Sequence, residues 1–151
     1  MKQFAVLFVC HGNICRSPMA EFLMKKRLAE LGIADKFRIE SAATSSEEIG
    51  SPVHPGTVRI LNRLGIDCSS KRARRIRPSD YDEFDMIIGM DSRNLINLQR
   101  FFGGDPLGKC SLLLGHTSAP RDVADPWYTG DFETTYKDIS EGIEKLLAER
   151  L

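Results

Sequence analysis

At 151 residues the chain is long enough for one compact domain with a sizeable core, and nothing in it marks a second. Its 21 Lys and Arg balance 21 Asp and Glu, so no net field recruits nucleic acid or a membrane, and any attraction for anions must be local. The apolar runs are too short to span a bilayer, the Met1-Lys2-Gln3 start leads straight into a strand without a signal-peptide cleavage site, and the four cysteines (10, 15, 68 and 110) lack metal-ligand spacing and disulfide-scaffold density. These features predict a single cytoplasmic domain over residues 1–151 that needs no metal or cofactor.

In chain order, the apolar run Phe4-Ala5-Val6-Leu7-Phe8-Val9 reads as a fully buried strand. A loop follows, and then a helix opening at Ser17-Pro18, with Ser17 as its cap and Pro18 at its first position, running through Met19, Phe22, Leu23 and Leu28 towards Gly32. Phe37-Arg38-Ile39-Glu40 is a second strand. Thr44 to His54, with Gly50 and Pro52, reads as a polar loop, and Pro55 to Leu64 as a short helix ended by Gly65. Lys71-Arg72-Ala73-Arg74-Arg75-Ile76-Arg77 is a basic run followed by Asp80, Asp82, Glu83 and Asp85; its expected place is a solvated face, with docking of acidic substrates as the lesser alternative. Phe84 to Met90 is a third strand, Asp91 caps a helix reaching Phe101 before Gly103-Gly104, Ser111 to Leu114 is a fourth strand, and Asp131 starts the last helix. Strands alternating with helices predict an α/β fold: three α/β/α layers around a four-stranded parallel sheet, with a phosphate-binding loop after the first strand.

That loop, Cys10-His11-Gly12-Asn13-Ile14-Cys15-Arg16, carries the chemistry. Gly12 and Asn13 accept left-handed backbone conformations, so the loop can wrap its N–H groups around an anion. The positive end of the following helix and the Arg16 fork would face the same oxyanion, above the Cys10 sulfur. A cysteine in that setting is expected to be a thiolate, poised for in-line attack on phosphorus. Burial as a small apolar residue is the ordinary alternative for Cys10, and a surface role the ordinary one for Arg16. Bidentate phosphate recognition, however, requires guanidinium geometry.

The segment VCHGNICRSPMAE, from Val9 to Glu21, together with Asp125-Pro126-Trp127-Tyr128, resembles the signatures of the low-molecular-weight protein tyrosine phosphatases. The resemblance covers nearly the whole chain, including Glu40-Ser41, Met90-Asp91 and Asp131-Phe132-Glu133-Thr134. It implies hydrolysis of phosphotyrosine and small aryl phosphates through a cysteinyl-phosphate, with Cys10 as nucleophile, Arg16 as phosphate clamp, and residues 11–16 as the cradle. It implies Asp125 as the general acid that protonates the leaving phenolate, with activity favoured on the acid side of neutral; a turn aspartate before proline is the competing use. Trp127 and Tyr128, with His11 and Glu47, would wall the substrate pocket, although either aromatic serves equally well in a core.

Ser17 would stabilise the departing Cys10 sulfur, and Asn13 would hold the strained loop through hydrogen bonds that include Ser41. Cys15 lies in the same loop as Cys10, so the two are candidates for a reversible protective disulfide, as the resemblance also suggests; an inert buried thiol is the alternative. Cys68 and Cys110 read as core residues, and His54 and His116 receive no role. The implied partners are tyrosine-phosphorylated proteins and a cognate tyrosine kinase, and the chain is expected to be a monomer.

The chain departs from the family pattern at the pocket rim. His11 replaces a usually apolar or small residue, Glu47 and Glu48 lie near where some members place an aromatic wall, and Ala43 replaces a frequent glycine. These changes touch substrate preference more than catalysis. Arginine phosphatases resemble a version of the loop with threonine in place of Ile14, so isoleucine favours an aryl phosphate. Thioredoxin-coupled arsenate reductases need a further cysteine pair, and residues 69–109 contain no cysteine. A phosphate-dependent binding module without turnover remains as a reading from a different class.

Overall fold

The structure, a computed structural model, describes residues 2–150. In chain order its elements are β1 (Phe4–Cys10), α1 (Arg16–Glu30), β2 (Phe37–Ala43), α2 (Pro55–Arg63), α3 (Asp80–Glu83), β3 (Met86–Gly89), α4 (Ser92–Phe102), β4 (Cys110–Leu112), α5 (Pro126–Thr129) and α6 (Phe132–Arg150), with 3₁₀ turns at Ala34–Lys36 and Leu113–His116. The four strands are all parallel, in the order β2-β1-β3-β4.

Strand β1 explains the layering. Val6, Phe8 and Cys10 point into one core shared with α1, α2 and α6, while Ala5, Leu7 and Val9 point into a second core with Ile76, Phe84 and Leu98. Because both faces are covered, β1 is a continuous apolar run and not an alternating one. The winding reverses at β1, with β2 on one side and β3 on the other, which opens a crevice at the carboxyl end of β1. The expected three-layer α/β architecture is the one observed.

Several boundaries differ from the sequence reading, each for a local reason. Strand β2 runs on to Ala43 because its pairing with β1 continues to Cys10↔Ala43. Phe84 does not start β3; it ends the short α3, where its N–H donates to the Asp80 carbonyl. After β4, Leu113 and Leu114 turn into a 3₁₀ helix, and Leu113 lies so close to Gly142 of α6 that a Cβ there would come within 2.5 Å of it.

Ser17 is not the cap of α1. The helix begins two residues earlier, with Cys15 at the cap position and no side chain bonded there, so Pro18 occupies the third helical position and not the first. Asp91 does cap α4, in a reciprocal pair with Asn94, and Gly103 (φ 72°) ends that helix in the left-handed conformation.

The basic run is only partly a solvated face. Arg74 bonds the fully buried Asp80 and also Glu40, and Lys71 turns inward to the Ser41 carbonyl and Glu21. These two side chains fasten the run to the sheet. Among the described residues no helix is long and apolar enough to cross a membrane.

Candidate active site

The loop from Cys10 to Arg16 is held by a chain of buried polar contacts that begins at Asn13. This residue sits at φ 58°, the one non-glycine with positive φ among the described residues, a conformation asparagine tolerates better than most side chains. Its amide nitrogen donates to Ser17 Oγ (2.8 Å) and Ser41 Oγ (2.9 Å), and its carbonyl oxygen accepts from the Arg74 backbone N–H (3.1 Å). Ser41 in turn donates to Glu21 Oε1 at 2.6 Å.

Proton direction follows from this order. Asn13 spends both amide protons, and Ser41 gives its proton to a carboxylate. Ser17 already accepts from Asn13, so its own proton is free for Cys10 Sγ, 3.0 Å away. Glu21 is buried, 4% exposed, and is balanced by Lys25 (2.6 Å) and Lys71 (3.4 Å). Burial pulls the Lys71 ammonium below its ordinary pKa, against the opposing pull of Glu21.

Arg16 is the largest of the fully buried side chains. Its Nη1 donates to Asp91 Oδ2 (2.7 Å) and to the Val123 carbonyl (2.8 Å), and its Nη2 to Asp125 Oδ2 (3.4 Å). Burial alone would lower its pKa, but the neighbouring Cys10, the Asp91 bond and the charge of Asp125 raise it above the ordinary value. The guanidinium is therefore permanently charged and locked in orientation.

Asp125 caps α5, with Oδ1 accepting from the Trp127 N–H at 3.1 Å while Oδ2 faces Arg16. Trp127 and Tyr128, on the next turn, are exposed at the rim of the cleft, 59% and 84%. His54 stands edge-on to Trp127 and stacks on Phe132, while its Nδ1 accepts from the Gly56 N–H. On the opposite rim, His11 Nε2 and Glu47 Oε2 are 2.8 Å apart. Cys10, Arg16, Asp125, both aromatics, His11 and Glu47 all line one cleft of about 730 Å³.

Cys15 lines the same cleft from a buried position. Burial first, and then the charges of Cys10 and Asp125, push its thiol up to about 12. Among the described residues no group of three or more His, Cys, Asp or Glu is placed to hold a metal ion.

Sequence reading missed four contributors to this site: Glu21, Lys71, the Arg16-binding role of Asp91, and the Val123 carbonyl. Glu21 lies inside the quoted motif, on the turn of α1 facing Ser41, and an acid among the apolar positions of that helix was a usable signal. A backbone carbonyl more than a hundred positions from Arg16 left none.

A family model described as low molecular weight phosphotyrosine protein phosphatase matches residues 5–151. The low molecular weight protein-tyrosine-phosphatase YfkJ of Bacillus subtilis is 42% identical over 146 residues, covering 95% of this chain and 94% of its own length. Its crystal structure superposes with a TM-score of 0.95 at 40% identity, covering 99% of this chain and 95% of that one. SP-PTP, a low molecular weight protein tyrosine phosphatase from Streptococcus pyogenes, gives 0.86 at 42% identity, covering 100% and 94%. A Drosophila arginine phosphatase gives 0.88 at 29%, covering 99% and 98%. With its matching span, sheet and loop, the chain belongs to the low molecular weight phosphotyrosine protein phosphatase family.

Proposed function

We propose that this family member hydrolyses phosphotyrosine in proteins, and small aryl phosphates, by two in-line displacements at phosphorus. The observation that carries the reading is the convergence of Cys10, Arg16 and Asp125 in one cleft. In the first step the Cys10 thiolate attacks phosphorus and the P–O bond to the ring breaks. The phenolate oxygen takes a proton from Asp125, so a neutral tyrosine leaves. The loop N–H groups and the Arg16 N–H groups not engaged by Asp91, Val123 and Asp125 hold the equatorial oxygens throughout.

In the second step water attacks the cysteinyl-phosphate, giving its proton to the Asp125 carboxylate. The P–S bond breaks, and the departing sulfur is met by the Ser17 hydroxyl. Trp127 and Tyr128 flank the substrate ring, and the reaction calls for no metal or cofactor.

Cys15 has a second use. Peroxide oxidation of Cys10 to the sulfenic acid removes one of the charges that, after burial, hold the Cys15 proton. Cys15 sulfur then displaces hydroxide, leaving a Cys10–Cys15 disulfide and water, which a thiol reductant reverses. The natural partners are tyrosine-phosphorylated proteins and the kinase that makes them, and the working unit is the monomer.

The test is phosphate release from a phosphotyrosine peptide at mildly acidic pH, with chelator and reductant present, beside phosphoarginine and phosphoserine. Turnover of phosphotyrosine that Cys10→Ser abolishes is expected. Turnover of phosphoarginine alone would move the chain to the chemistry named for its Drosophila neighbour.

A further inference from the structure

Beside the catalytic cleft lies a second one of about 360 Å³, and His11 lines both. The two differ in charge. The first carries four carboxylates, Glu47, Glu48, Asp91 and Asp125, beside Arg16 and Arg93. The second is lined by His11, Thr44, Ser45, Arg75, Asn97, Arg100 and Phe101, with no carboxylate among them.

Arg75 and Arg100 are exposed and form no ion pair among the described residues. Arg75 is nonetheless held in place: its Nε donates to the Thr44 carbonyl at 3.3 Å, and its guanidinium lies 5.5 Å from the centre of the Phe101 ring. Arg100 extends from the last turn of α4, one turn beyond Asn97. His11, tied to Glu47 at 2.8 Å, stands as the partition between the clefts.

A second observation marks the same place. Thr44, only 8% exposed, lines this cleft, and its hydroxyl has no hydrogen-bond partner among the described residues. Buried hydroxyls are almost always partnered, so Thr44 is an unsatisfied polar group in the wall of this cleft.

We infer that this cleft is a subsite for the carboxylate of an acidic residue close in sequence to the substrate phosphotyrosine. The inference rests on the phosphotyrosine reading of the adjoining cleft. Two exposed arginines attract a free carboxylate weakly. A carboxylate tethered by a few residues to an anchored phosphotyrosine arrives at millimolar effective concentration, and the same arginines then discriminate. The clefts share His11, and an extended peptide advances about 3.3–3.6 Å per residue. Adjoining clefts call for an acid close in sequence to the phosphotyrosine, and about three residues on either side reach roughly 10 Å.

The test compares phosphotyrosine peptides carrying Glu or Gln at each position within about three residues of the phosphotyrosine, with p-nitrophenyl phosphate as a substrate that fills only the catalytic cleft. At one position Glu is expected to raise kcat/KM about three- to tenfold over Gln at low salt, the advantage shrinking as salt is added. Arg75→Gln with Arg100→Gln should erase that preference and leave p-nitrophenyl phosphate turnover as it was. Equal turnover of the Glu and Gln peptides at every position, or a preference that survives the double substitution, overturns the subsite while the phosphatase reading stands. An intact protein that turns over neither the peptides nor p-nitrophenyl phosphate overturns the phosphatase reading itself, and the subsite with it.

Discussion

Replacing Asp125 by Asn separates chemistry from structure at one atom. The amide keeps an oxygen that can accept from the Trp127 N–H, now 3.1 Å from Oδ1, and asparagine is as good a helix cap as aspartate. The α5 turn and its aromatics therefore stay in place. What is lost besides the proton is the 3.4 Å contact with Arg16, in which the Asp125 side chain is 25% exposed.

A part-exposed contact of that length contributes no more than about 1 kcal/mol, roughly a fivefold effect, and Asp91 and Val123 still hold the guanidinium. Loss of a positioned general acid costs about 10²- to 10⁴-fold. The two explanations therefore differ by at least an order of magnitude. The assay is a series of aryl phosphates whose phenols span acidic to weakly acidic. Asp125→Asn should reduce kcat/KM severely for phenyl and tyrosyl phosphate, and only a few-fold for a dinitrophenyl ester that needs no proton. An equal loss across the whole series would refute the acid role and leave Asp125 as a structural cap.

The loop and the core make further predictions. Asn13→Ala removes three hydrogen bonds and places alanine at φ 58°, so it should destabilise by about 3–5 kcal/mol in urea unfolding; Asn13→Gly should recover only the backbone part, about 1–2 kcal/mol, and neither should regain full kcat. Cys15, raised to about 12 in the folded protein from an ordinary 9.0, keeps its proton where the unfolded chain has lost it. Its stabilising contribution is complete below about pH 9 and is lost as pH rises from there towards 12. Urea midpoints measured across that alkaline range should fall less steeply in Cys15→Ala than in the wild type. Gly142→Ala drives a methyl group into Leu113 and should lower stability by about 1–3 kcal/mol, with kcat for p-nitrophenyl phosphate preserved; calorimetry beside that assay checks both.

Much of this protein is legible in its sequence because the governing forces are local. The apolar run before Cys10, Asn13 with its left-handed backbone (Gly12, expected to share it, does not), Asp91 beside its helix, and Gly103 after it each act within a few residues. Those signals are enough to place the sheet and the loop that joins Cys10 to Arg16. Ser17 shows where local reasoning fails. A serine before proline reads as a helix cap, yet its hydroxyl faces Cys10 and Asn13, because a sulfur brought close by the loop competes for the same oxygen.

The basic run fails for the same reason. Its neighbours in sequence suggest a solvated face, but Lys71 and Arg74 turn inward to Glu21, Asp80 and Glu40 once the sheet brings those carboxylates near. The partners of Arg16 are 75, 107 and 109 residues away in the chain. Sequence alone named the residues to which the chemistry is here assigned. Only the tertiary structure decided which groups orient them, because hydrogen bonds and charge pairs depend on distances that the packing of α1, α4 and α5 around the sheet sets.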